Sequence, residues 1–81
     1  MSEQVVKTAF AETLRKYRTE TNRSQQDVAT KCDMSFRYYQ ELEAGTKQPT
    51  ITMLFKIADS LEVNPAELIE PAHEMWQSKK S

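Results

Sequence analysis

An 81-residue chain with 38% hydrophobic residues is one domain, long enough to bury a small core without disulfides or metal. Its 28% charged residues, single glycine and three prolines favour helices over a sandwich or barrel, and one cysteine excludes an intrachain disulfide and fits a reducing compartment. The net charge of −1 and pI of 5.8 lack the strongly basic signature of many nucleic-acid binders, and the balance is uneven: residues 1–50 hold 8 Lys and Arg against 7 Asp and Glu, residues 51–81 hold 3 against 5.

The N-terminal stretch MSEQVVKTAFAETL carries acids where a secretory leader is basic, and no apolar run approaches the length needed to span a bilayer. The expectation is a soluble, cytoplasmic protein with no membrane partner. Residues 1–7 are expected to be flexible, residues 8–69 to form the domain, and residues 70–81 to be a loose tail with helical potential.

Phe10, Leu14 and Tyr17 recur at helical spacing, which predicts a first helix from about Thr8 to Thr21, closed by Asn22 in a left-handed conformation. Ser24 followed three residues later by Asp27 matches a capping box, opening a short second helix with Val28, Ala29 and Cys32 on its inner face. It should stop near Cys32 or Asp33. Ser35 then caps a third helix in which Tyr39 and Leu42 point inward and Gly45 ends the run. TKQP is a turn, and Thr50 caps a fourth helix that buries Met53 or Leu54, Ile57, Ala58 and Leu61. In NPAE, Asn64 caps a fifth helix, Pro65 takes the first position and Glu67 reaches back to the cap. The fold class is therefore all-α, with five short helices and no repeat or linker between them.

The second and third helices, joined by a tight connection, describe a helix-turn-helix. From Ser24 to Ile69 the chain resembles the DNA-binding domain of the lambda-repressor-like, Cro-related regulators. The resemblance rests on Ser24-Gln25, Val28-Ala29, Met34-Ser35, Leu42-Glu43 with Gly45 beyond, Pro49-Thr50, Leu54, Ile57-Ala58 and Leu61. Leu14 to Arg18 fits the first helix of that family, so the resemblance covers residues 10–69.

It implies that the helix starting near Ser35 lies in a major groove, with Phe36, Arg37, Gln40 and Glu41 touching base edges. Helical phase agrees, since committing Tyr39 and Leu42 inward turns Arg37, Gln40 and Glu41 outward, with Phe36 and Tyr38 flanking them. In this reading Arg37 donates twice to a guanine, Glu41 accepts from a cytosine amino group and Phe36 covers a thymine methyl. By the same resemblance Gln25 is a phosphate contact, with Ser24, Tyr38, Thr46, Lys47 and Gln48 as further candidates. Arg18 and Glu43 match a pair that forms an internal salt bridge in relatives. Arg23, Asn22 and Ala44 depart from the family pattern, and Arg23 is expected to add a phosphate contact where Ala44 offers none.

The function implied is a sequence-specific transcriptional regulator, a repressor, on a pseudo-palindromic double-stranded DNA operator. The alternative is a protein-interaction module, an antitoxin or coactivator, on the same scaffold with a protein partner. No nucleophile with a base, no acid pair and no metal cluster is legible, so neither enzymatic activity nor a cofactor or metal is expected. His73 reads as a surface residue, Cys32 as a small buried hydrophobe, and Lys79 with Lys80 as a solvated tail. Leu68, Ile69, Ala72, Met75 and Trp76 fall near one helical face despite Pro71. Of these, Leu68, Ile69, Met75 and Trp76 are candidates for a homodimer interface, with Trp76 as its anchor.

Overall fold

Each helix begins and ends where side chains satisfy the backbone groups that a helix terminus leaves unpaired. The computed structural model describes residues 2–80, without the side chains of Ser2 and Lys80, so the expected Lys80 tail charge lies outside the described residues. Five helices follow in order: α1 (Ser2–Glu20), α2 (Gln25–Lys31), α3 (Phe36–Ala44), α4 (Ile51–Leu61) and α5 (Pro65–Lys80). No strand occurs among the described residues, and none of the helices is long and apolar enough to cross a membrane.

The expected start signals all operate. Ser24 Oγ accepts from the Asp27 amide at 3.0 Å while Asp27 Oδ2 accepts from the Ser24 amide at 3.3 Å, completing the capping box. Ser35 and Thr50 accept from the amides of Tyr38 and Met53, and Glu67 Oε1 accepts from the Asn64 amide at 2.9 Å. The stops are left-handed residues: Asn22 after α1, Asp33 after α2, Gly45 after α3 and Glu62 after α4.

Twelve buried residues form the core: Phe10 and Leu14 from α1, Val28, Ala29 and Cys32 around α2, Tyr39 and Leu42 from α3, Leu54, Ile57, Ala58 and Leu61 from α4, and Leu68 from α5. Leu54 takes the buried position for which Met53 also qualified. Burial pushes the Cys32 thiol upward, which keeps it protonated and unreactive.

The N-terminal end differs from expectation, while the C-terminal end realises its helical potential as a continuation of α5. Helix α1 starts at Ser2 rather than near Thr8, so the segment expected to be flexible is helical over residues 2–7. Gln4 Nε2 donates to Thr8 Oγ1 at 3.2 Å and to the Gly45 carbonyl at 3.3 Å, and Val5 and Val6 are half-buried. Helix α5 runs through Pro71 to Lys80 and lies along α1 in the most extensive helix pair of the fold. The boundary expected at residue 69 is therefore inside a helix. Pro71 removes one backbone donor, but packing against α1 compensates.

Candidate nucleic-acid interface

Helix α3 has two faces, and the inner one determines how the outer one is presented. Glu43, 3% exposed, receives four side-chain hydrogen bonds from three helices. Arg18 on α1 donates Nε to Oε2 at 2.5 Å and Nη2 to Oε1 at 3.1 Å. Tyr39 donates its hydroxyl to Oε2 at 2.6 Å, and Gln25, at the first position of α2, donates Nε2 to Oε1 at 2.9 Å. The ion pair expected between Arg18 and Glu43 is present, and the two flanking donors complete it.

Burial alone would raise the Glu43 carboxyl, but hydrogen bonds from Arg18, Tyr39 and Gln25 together hold it below the usual carboxylate range. The bond from Glu43 raises the Arg18 guanidinium further, and burial followed by the bond to Glu43 raises the Tyr39 phenol. A buried carboxylate with this many donors fixes α1, α2 and α3 relative to one another.

Two α1 side chains that sequence reasoning missed hold the end of α3. Arg15 Nη1 donates to the Glu43 carbonyl at 2.9 Å, and Gln4 reaches the Gly45 carbonyl. Gly45 itself has φ +80°, and a Cβ there would meet the Lys7 carbonyl and the Thr8 Cα at 3.7 Å. The space is adequate, so the left-handed backbone is what selects glycine at this C-cap. No sequence signal marked Arg15 or Gln4, because a polar side chain on an amphipathic helix reads as solvent-facing.

The outer face carries Phe36, Arg37, Gln40 and Glu41 on one continuous arc of the helix. Phe36 is 40% exposed, so it is not a core residue. The Arg37 side chain is 88% exposed and its Nε lies 3.8 Å from Glu41 Oε2, a weak i,i+4 pairing that leaves the guanidinium fork available. These four side chains surround no pocket and no paired acid and base; they present donors, acceptors and an apolar ring to an external surface.

The flanking candidates divide. Ser24 and Gln25 sit at the start of α2, where one Gln25 amide proton is donated to Glu43. Lys47 and Gln48 are exposed in the loop after α3. Tyr38 and Thr46 already have partners within the fold: the Tyr38 hydroxyl donates to the Gln48 carbonyl at 3.1 Å and the Thr46 hydroxyl donates to the Glu41 carbonyl at 3.2 Å. In the free chain both protons shape the loop. Arg23 has a partner within the fold as well. Its Nη2 pairs with Glu62 Oε2 at 2.9 Å, tying the α1–α2 turn to the α4–α5 turn.

The four dimer candidates do not form one patch. Leu68 is fully buried in the core. Ile69 and Trp76 face the start of α4, whereas Met75 lies with Gln4, Val5 and Thr8 on the other flank of α1. Sequence reasoning missed two exposed apolar side chains on α4, Ile51 at 68% and Phe55 at 52%, which share one face of that helix.

A short capped α2, a connection over residues 32–35 and a rear-locked α3 with an exposed polar arc define a helix-turn-helix protein. Residues 14–68 match the helix-turn-helix family, lambda-repressor-like in type, and the chain belongs to it. It is 33% identical over 57 residues, 70% of this chain and 74% of the relative, to y4dJ, a transcriptional regulator of the helix-turn-helix type from Sinorhizobium fredii. It is 29% identical over 66 residues, 80% of this chain and 82% of the relative, to the control protein C.BamHI of Bacillus amyloliquefaciens. Among solved structures, the restriction-modification controller protein C.AhdI from Aeromonas hydrophila superposes with a TM-score of 0.74 at 27% identity, covering 76% of this chain and 94% of that one.

Proposed function

We propose that this protein is a sequence-specific DNA-binding transcriptional regulator that inserts α3 into a major groove and represses by occluding its promoter. The observation that carries this reading is the pairing of an exposed arc, Phe36, Arg37, Gln40 and Glu41, with a helix whose rear is locked by Glu43. Base readout needs side chains held in fixed register, and this arrangement supplies it. Arg37 donates both arms to a guanine, Glu41 accepts from a cytosine and Phe36 packs on a thymine methyl, while Ser24, Gln25, Lys47 and Gln48 hold the phosphates.

Similarity to a transcriptional regulator and to two control proteins favours this reading over a protein-interaction module. The regulator acts in the cytoplasm as a homodimer joined through the exposed apolar edge of α4 and α5, where Ile51, Phe55 and Ile69 project with Trp76 beyond them. Two-fold symmetry then places the recognition helices in successive major grooves about 34 Å apart, on a pseudo-palindrome.

Selection of bound duplexes from a random library tests this. A palindromic consensus is expected, with Arg37→Ala and Glu41→Ala each losing information at one position per half-site. Absence of any consensus at low and moderate salt defeats the proposal.

A further inference from the structure

The outward arc of α3 holds one cation and one anion, and the helix fixes them unequally. The Glu41 carbonyl accepts from the amides of Gly45 and Thr46 and from the Thr46 hydroxyl, so the base of that side chain is held by the left-handed turn that ends the helix. The Glu41 side chain is 32% exposed, whereas that of Arg37, one turn earlier, is 88% exposed. Their 3.8 Å approach joins Arg37 Nε to Glu41 Oε2; the guanidinium keeps the donors of its terminal nitrogens, and the carboxylate keeps Oε1. Arg37 is the only cation of α3, and the other anion of the helix, Glu43, is committed to the rear network.

We propose that Arg37 and Glu41 read the operator as one unit, with Glu41 as the fixed member that positions Arg37. Glu41 holds Arg37 by Nε and offers Oε1 to a cytosine amino group, while the terminal nitrogens of Arg37 donate to guanine O6 and N7. Two groups 3.8 Å apart span about one base-pair step of about 3.4 Å, so the guanine and the cytosine belong to the same base pair or to adjoining ones. This inference rests on the DNA-binding reading and gives it content: each half-site carries its guanine and its cytosine together.

Charge explains why the two act together. In water an exposed pair one helical turn apart contributes little, but a groove excludes water and surrounds the pair with phosphate charge. A lone carboxylate is repelled there, so Glu41 is tolerated only beside a cation, and no other residue of α3 supplies one. Phe36 and Gln40 are uncharged, which leaves the arc electrically neutral. A neutral arc gains nothing from phosphates in general and binds well only where both of its partners are present, so Glu41 favours the operator by weakening attachment to other DNA.

The test is a double-mutant cycle on the full chain, with Arg37→Ala, Glu41→Ala and both together, titrated against the selected operator and against a scrambled duplex. Glu41→Ala is expected to weaken operator binding when Arg37 is present and to strengthen it when Arg37 is absent. The double variant should bind the operator about tenfold more tightly than Arg37→Ala alone, because it no longer carries an unpaired carboxylate into the groove. On the scrambled duplex Glu41→Ala should strengthen binding in both backgrounds. Both side chains lie on the outer face, so the urea midpoints are expected to stay unchanged, which separates this effect from a loss of structure.

A change on the operator of the same size and sign in both backgrounds overturns the unit, since two independent contacts add. So does a consensus in which the positions lost by the two single variants lie more than one base-pair step apart. Glu41→Ala strengthening operator binding in both backgrounds would reduce Glu41 to a general repulsive charge and also overturns it. A consensus that fails this cycle sinks only the coupled readout and leaves the regulator standing, whereas absence of any consensus sinks both.

Discussion

The two faces of α3 are built on opposite principles. On the inner face one carboxylate accepts four side-chain hydrogen bonds and is nearly sealed from water. On the outer face Arg37 stands almost fully exposed with one loose intrahelical partner. Strong interactions that are satisfied within the fold give orientation; side chains left unsatisfied give recognition, because only they gain partners from a bound surface. A helix with both faces saturated would be stable and mute, and one with neither would lose its register.

The largest way to break this contrast is Glu43→Ala. It strands Arg18, the Tyr39 hydroxyl and the Gln25 amide at once, and removing one member of a buried pair costs about 3–5 kcal/mol. Arg18 keeps some solvent contact at 17% exposure, so about 3 kcal/mol is expected. That is a large part of the stability of a domain this size. A lower urea midpoint with an unchanged slope checks it; a loss below about 1 kcal/mol would mean that water replaces the network without penalty.

The same network sets the pH limits. Glu43 is held below its unfolded value of about 4.3, so its contribution is complete above that pH and is lost as pH falls through the lower folded value. Tyr39 is raised above its unfolded value of about 10, so its contribution is complete below pH 10 and is lost as pH rises beyond it. Stability measured against pH should fall at both ends. Glu43→Gln should flatten the acid limb, and Tyr39→Phe the alkaline limb.

Arg37→Ala tests the outer face alone. Operator affinity should fall by about 1–3 kcal/mol with preference relaxed at one base pair, while the urea midpoint stays unchanged. Uniform loss across all sequences would recast Arg37 as a phosphate contact, and a shifted midpoint would show that the two faces are not separable.

The parts of this arrangement legible in the sequence are local or periodic. Ser24, Ser35, Thr50 and Asn64 announce helix starts because a cap and the amide that donates to it lie within one turn. The outward arc of α3 follows from the inward pair Tyr39 and Leu42 by helical phase alone. The Arg18–Glu43 pair was legible only through the family resemblance, since its partners are 25 residues apart.

What escaped depends on elements far away in the chain. Residues 2–7 have no visible apolar face until α5 lies beside them. Adjacent residues Met75 and Trp76 share one sequence pattern yet lie on opposite flanks of α1. Arg23 looks like a surface charge on a turn, and its partner Glu62 is 39 residues on.

The smallest effect concerns the seam between the faces. Tyr38 is half-buried, packs against the core and donates to the Gln48 carbonyl, so it couples α3 to the loop that carries Lys47 and Gln48. Tyr38→Phe keeps the ring and removes only the bond, which should lower stability by about 0.5–1 kcal/mol. If the hydroxyl only orients the loop, operator affinity should drop slightly and equally for all sequences, with the number of released counterions, read as the slope of log affinity against log salt, unchanged. A slope reduced by about one would instead make the hydroxyl a direct phosphate contact. The tyrosine would then belong to the outer face, and the division between orienting and reading residues would run through its ring rather than behind it.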